Sequence, residues 1–129
     1  MKVYYDLHIH SALSPCADDS MRPRDIANMA KLKGLDIISV ADHVCGRNMA
    51  VAKKEAEAAG LLFLPGIEAT ASNGTHLLCY FRRIENALAF SDIIYDSLPN
   101  GPGKAAYYGS QLVFNAEDEE VDMPLKPLG

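Results

Sequence analysis

The sequence predicts an α/β fold with mostly parallel strands. Short apolar segments alternate with helical ones along the chain. The run Leu35 to Ala41 (LDIISVA) is apolar without interruption, the pattern of a strand buried on both faces of a parallel sheet. The connections are short, which favours right-handed crossovers. Each βα unit takes roughly 30 residues, and the chain has 129. That is room for about four units, whereas a closed eight-unit barrel takes about 250 residues. The expectation is therefore one domain, residues 1–129, with roughly four strands, flanking helices and about half of a barrel.

The elements follow in order. Lys2 to His10 reads as a first strand, because Val3, Tyr5, Leu7 and Ile9 alternate with Tyr4, Asp6, His8 and His10. Ser11 to Ser20 is a polar loop. A helix opens at Pro23, where a first turn tolerates proline. It carries Ile26, Ala27, Met29, Ala30 and Leu32 at helical spacing and stops at Gly34. Leu35 to Ala41 is the second strand and runs into Asp42-His43. Asn48 to Ala59, rich in Ala, Lys and Glu, is a second helix closed by Gly60. Leu61 to Leu64 is a third strand that leads through Pro65-Gly66-Ile67 to Glu68 at its end. Thr75 to Phe81 (THLLCYF) is a fourth strand, and Glu85 to Leu98 a third helix ended by Pro99-Asn100-Gly101-Pro102-Gly103. Ser110 to Asn115 is a short strand. Residues 117–129 are an acidic, proline-containing segment expected to be solvated and extended or disordered.

Composition narrows the function. The formal charge is −5, and the five acids between Glu117 and Asp122 account for all of it. The remaining body is balanced and lacks the basic footprint of a duplex nucleic-acid binder. No apolar run approaches the roughly 18 residues of a membrane span, so no membrane partner is expected. The N-terminus MKVYYDLHIH is not a signal peptide. The cysteines are Cys16, Cys45 and Cys79, odd in number and without a CxxC spacing. Together these point to free thiols in a reducing cytoplasm.

The chemistry concentrates at strand ends. His8 and His10 sit two apart on a strand, so they project from one face with Asp6 behind them. Imidazoles about 6–7 Å apart along a strand can converge on one cation or on neighbouring ones. In parallel α/β folds functional groups gather at the C-terminal strand ends, where His10, His43 and Glu68 lie. Glu68 suits a bridging role, since its two oxygens can reach two cations. His76 opens the fourth strand, at the wrong end for a parallel arrangement, and is read as reaching back. All four histidines occupy such places and none lies in a predicted helix. That distribution favours a metal site over scattered core or surface imidazoles.

The run DLHIHS, the Ser-Pro-Cys loop, Met21-x-Pro23, GLDIISVADH, PGIEAT and THLLCYF together resemble the PHP (polymerase and histidinol phosphatase) domain over residues 1 to 81. Gly109 through Asp122 also resembles the continuation seen in small bacterial PHP proteins. The resemblance implies a distorted (β/α) barrel with up to three divalent metals, variously Zn, Mn or Fe, and hydrolysis of phosphoesters. It places His8, His10 and Glu68 on a first metal, Glu68 and His76 on a second, and His43 on a third. The position eight after the first histidine, His or Asp in relatives, falls on Cys16. A thiolate is a good zinc ligand, a free thiol is the alternative, and Asp18 and Asp19 are the backups. Asp6 and Asp42 read as groups that orient the imidazoles. Arg47, after the Asp42-His43 loop, is a weak phosphate-clamp candidate.

The family's further His and its C-terminal Asp-x-His have no counterpart here, because no histidine follows His76. Fewer than three metals and weak activity are therefore expected, in a truncated piece or a short form. Nothing is transferred to Asp92, Asp96 or Asp118. The expected activity is hydrolysis of a small phosphomonoester, a nucleotide or sugar phosphate, by metal-activated water. One alternative is a 3′–5′ exonuclease acting on short single strands, for which Tyr107-Tyr108 are a pair of adjacent aromatics outside the first strand. The other is a non-catalytic metal-binding subunit needing a partner. A half barrel leaves the fourth strand near an open edge. Either self-association, a complementing C-terminal half, or residues 105–123 folding back would then cover it.

Overall fold

The computed structural model describes residues 1–99, 110–123 and 125–128. Strand β1 (Tyr5–Ile9) is followed by helix α1 (Pro23–Leu32), β2 (Ile37–Val40), α2 (Met49–Ala58), β3 (Leu62–Phe63), β4 (Gly66–Thr70), β5 (His76–Tyr80), α3 (Ile84–Asp96), β6 (Val113–Phe114) and β7 (Glu120–Val121). Strands β1, β2 and β3 pair in parallel in that order, as the alternation of strands and helices requires. The short turns after α1 and α2 close on Gly34 and Gly60, at φ +79° and +82°, a conformation that costs a residue with a Cβ. Helices α1 and α2 cover one face of this sheet. Ile26 and Ala30 from α1 and Ala52 and Ala56 from α2 meet Ile38, Val40 and Leu61 there.

Two expectations are corrected. Glu68 does not end the third strand: β3 is only two residues long, and Glu68 lies inside a separate strand, β4. The fourth expected strand, β5, is antiparallel to β4, from Gly66↔Tyr80 to Thr70↔His76. The described strands thus form three sheets, one parallel and two antiparallel, rather than a single barrel wall. β4 still abuts the parallel sheet. Glu68 donates its N–H to the Asp42 carbonyl at 3.0 Å and accepts from the Val44 N–H at 3.0 Å, beyond the end of β2.

The C-terminal segment is more structured than its composition suggests. β7 lies within the acidic stretch and pairs with β6. Asp118 in the turn between them accepts from the Arg22 guanidinium at 3.2 Å. Val113 and Leu128 are buried with Leu13, Cys45 and Tyr95. Asn48 fastens this layer to the rest. Its amide nitrogen donates to Ser11 Oγ and the Leu112 carbonyl, and its oxygen accepts from the Phe114 N–H. The Lys126 ammonium lies 3.0–3.4 Å from the carbonyls of Tyr95, Asp96 and Leu98, at the end of α3 where carbonyls lack helical partners. The turn Asn100–Gly103 and the pair Tyr107-Tyr108 lie outside the described residues. Among the described residues no helix is long and apolar enough to cross a membrane.

Candidate metal centre

Five side chains from four segments converge at the C-terminal ends of β1 and β2. His8 and His10 come from β1 and the residue after it, His43 follows β2, Glu68 lies mid-β4 and His76 begins β5. The carboxylate of Glu68 is the hub. Its Oε1 pairs with His8 Nε2 and lies 3.5 Å from His10 Nε2. Its Oε2 lies 3.0 Å from His43 Nδ1 and 3.4 Å from His76 Nδ1. Each oxygen therefore faces two imidazoles. The rings stack edge to face, with centroids 4.9 Å apart for His8–His10, 4.6 Å for His10–His43 and 5.4 Å for His43–His76.

The antiparallel turn of β4 into β5 explains His76. Reversing the strand brings its first residue back to the end where the other ligands lie. The pairing Thr70↔His76 places it two residues from Glu68 along the ladder, on the same face. A backbone contortion also places His43. Val44 has φ +60°, a real strain for a β-branched residue. The Cys45 N–H donates to the His43 carbonyl at 2.7 Å across this tight turn. His43 consequently faces the carboxylate while Cys45 enters the apolar cluster, where burial pushes its thiol up to about 11.

Electrostatics suit cation binding. Burial holds His10 and His43 below their ordinary value, which favours the neutral rings that ligate metals. Burial alone would raise Glu68, but His43, His8 and His10 outweigh it and leave the carboxyl below its ordinary value. His10 Nε2 and His43 Nδ1 are buried with no hydrogen-bond partner among the described residues. Both face the Glu68 carboxylate, at 3.5 Å and 3.0 Å, without forming a directed hydrogen bond to it, an arrangement that a cation between them would satisfy. Three overlapping donor sets result: His8–His10–Glu68, His43–Glu68–His76 and His10–Cys16–His43, each with ligand atoms within 4.8 Å of one another. The donor chemistry and geometry fit divalent metal ions.

The remaining expected residues divide. Cys16 Sγ lies 3.0 Å from His10 Nδ1, so the Ser-Pro-Cys loop does reach the cluster. Asp18 and Asp19 do not join it: Asp18 accepts from the Ser20 N–H and Asp19 from Ser110 Oγ. Asp6 accepts from the backbone N–H of His8, fixing the strand and not the ring. Asp42 also touches no imidazole. Fully enclosed, it accepts from the Ser11 N–H and hydroxyl and from the Ser14 hydroxyl, at 2.6–2.7 Å, while Ser14 Oγ accepts from the His43 N–H. Its role is to bind the loop that carries Cys16 to the turn that carries His43. Ser11 and Ser14, from the DLHIHS run and the Ser-Pro-Cys loop, complete that network with Asn48, which lies in no motif. Arg47 stacks over the Tyr95 ring at 5.7 Å, lining a pocket of 280 Å³ with Cys45, Gly46, Ser91 and Asp92.

Three known proteins share sequence or fold with part of this chain. A 3′,5′-nucleoside bisphosphate phosphatase from Chromobacterium violaceum is 32% identical over 71 residues, which are 55% of this chain and 24% of that protein. The solved structure of an amidohydrolase from Chromobacterium violaceum, with bound sulfate and no metal, matches with a TM-score of 0.59 and 25% identity over 74% of this chain and 34% of its own. A protein described as a metal-dependent phosphoesterase from Bifidobacterium adolescentis matches in fold, with a TM-score of 0.55 and 22% identity over 72% of this chain and 33% of its own. No protein-family model matches the chain. The matched region thus spans about a quarter of the curated relative and about a third of each solved chain. The fold is mixed α/β and resembles part of the phosphoesterase and amidohydrolase folds.

Proposed function

We propose that this chain carries the metal centre of a PHP-type phosphoesterase acting on a small phosphomonoester, with a nucleotide as the preferred class. One observation carries the reading: a single buried carboxylate is met by four imidazoles, two at each oxygen, and two of the buried nitrogens facing it make no directed hydrogen bond. A structural ion pair needs one imidazole, and four around one carboxylate suit shared cations. The nucleoside bisphosphate phosphatase similarity supports the nucleotide class.

His8, His10 and Glu68 would hold one divalent ion, and His43, Glu68 and His76 a second. Zn, Mn or Fe are the candidates. Divalent ions so held supply Lewis-acid polarisation of phosphoryl oxygens and lower the pKa of an attacking water. The chain supplies the arrangement. Burial holds His10 and His43 below their ordinary value, which favours the neutral, ligating form of these rings. The Asp42–Ser14 linkage fixes the His43 backbone. Arg47 lies over the Tyr95 ring in a pocket whose lining includes none of the five converging side chains, so no phosphate contact is assigned to it.

Metal analysis of the purified chain, combined with phosphate release from nucleoside phosphates, tests the reading. Divalent metal should co-purify or bind on reconstitution, and Glu68→Ala should lose more of it than Cys16→Ala, because Glu68 belongs to two donor sets and Cys16 to one. Metal retained in full by Glu68→Ala would refute the centre. Metal bound without turnover on any phosphoester would refute the enzymatic half and leave a metal-binding module.

A further inference from the structure

The three donor sets are chemically unequal. Two contain the Glu68 carboxylate and imidazoles, and the third replaces the carboxylate with the Cys16 thiol. Cys16 is also the one donor of its set that belongs to neither of the others. We infer that His10, Cys16 and His43 form a soft-donor subsite that selects Zn2+ over Mn2+ and Mg2+, and that Cys16 sets this selectivity. The inference rests on the metal-centre reading and extends it to ion preference.

The loop geometry carries the argument. Ser14 to Ala17 closes a turn in which the Ala17 N–H donates to the Ser14 carbonyl at 3.0 Å, with Cys16 at its third position. The first residue of that turn is anchored twice, since Ser14 Oγ donates to buried Asp42 and accepts from the His43 N–H. Cys16 is thus held toward His10 by a network that also fixes His43. The thiol reaches His10 Nδ1 at 3.0 Å and is solvent-exposed, which gives an ion a route in. The thiol is not a lone feature: its sulfur and one nitrogen each of His10 and His43, the latter about nine-tenths buried, lie within 4.8 Å of one another. Thiolate with two imidazoles is a donor set suited to the borderline-soft Zn2+ ion. Mn2+ and Mg2+ favour oxygen donors, and this set offers none.

Co2+ serves as the spectroscopic probe for Zn2+. The 129-residue chain loaded with Co2+ should show a thiolate-to-cobalt charge-transfer absorption. Cys16→Ser should abolish it, and Cys79→Ser should keep it. Zn2+ affinity at the subsite should fall on the order of tenfold or more in Cys16→Ser, with Mn2+ binding little changed. Alkylation of the unmutated chain gives a second readout. Zn2+ should protect Cys16 from iodoacetamide and Mn2+ should not, with Cys79 as the internal reference. Bound Co2+ without the absorption, an absorption that survives Cys16→Ser, or equal protection by both ions would overturn the inference and leave the Glu68 centre standing. No bound Co2+ at all would overturn both.

Discussion

Asp42 shows how much of a metal-binding cluster rests on residues that touch none of its ligand atoms. Three donors converge on its carboxylate from Ser11 and Ser14, and removing it strands all of them in a closed interior. Asp42→Ala should therefore cost about 2–4 kcal/mol, because each unpaired buried donor carries its own desolvation penalty. Urea unfolding measures this, and a change within about 0.5 kcal/mol would show that water replaces the carboxylate freely. At this scale the sequence was informative about the converging side chains. His10 and His43 lie where the strand-end rule of parallel folds looks for function, and His8 shares a strand face with His10, whereas Glu68 joins them from the middle of an antiparallel strand that the rule does not cover. The role of Asp42 was not readable, since an Asp beside a His suggests a contact with the ring. Burial and two serine hydroxyls give it a different task.

The β4–β5 hairpin decides whether the cluster closes, and it was only half legible. Asn73-Gly74 between two apolar segments is a strong hairpin signal. It is realised with Gly74 at φ +88° and the Asn73 side chain accepting from the Thr75 N–H. Reading the third strand through Pro65-Gly66-Ile67 to Glu68 hides β4, which is a separate strand. Gly66 in fact sits inside the strand because nothing larger fits. A Cβ there would stand 2.5 Å from Ser39 Oγ on β2 and 3.1 Å from the Tyr80 ring. Gly66→Ala should accordingly destabilise the chain by about 1–3 kcal/mol through overpacking. Ser39 Oγ has no hydrogen-bond partner among the described residues, so Ser39→Ala alone should cost little and should recover part of the loss in the double variant. Thermal unfolding of the four species forms a complete cycle. Additive effects would show that Ser39 is not what Gly66 avoids. Because β4 carries Glu68, the same substitution should also weaken metal binding.

Across the whole molecule the apolar layers are distributed unevenly. Helices α1 and α2 cover one face of the parallel sheet, and the C-terminal strands cover Leu13, Cys45 and Tyr95. The expectation that residues 105–123 fold back over the fourth strand is not met by those described. Leu112 donates its N–H to the Ala12 carbonyl and Val113 packs on Leu13, away from β5. Among the described residues β5 pairs only with β4, and β1 only with β2. Leu77 is 50% exposed on β5, and Tyr5 is 64% exposed on β1. Unpaired edges that carry exposed apolar side chains invite pairing with another chain. The 129-residue chain should therefore associate with itself as its concentration rises, which sedimentation velocity reads directly. Leu77→Lys is the discriminating variant. Leu77 stands opposite Ala69, so its side chain lies on the other face from Glu68 and the new charge leaves the imidazole cluster alone. A lysine on an edge strand opposes pairing. The variant should shift the distribution toward monomer while binding as much metal as the parent chain. Association unchanged by Leu77→Lys would move the contact to the β1 edge, where Tyr5→Lys is the corresponding test, and a parent chain that stays monomeric at every concentration would show that neither edge drives assembly.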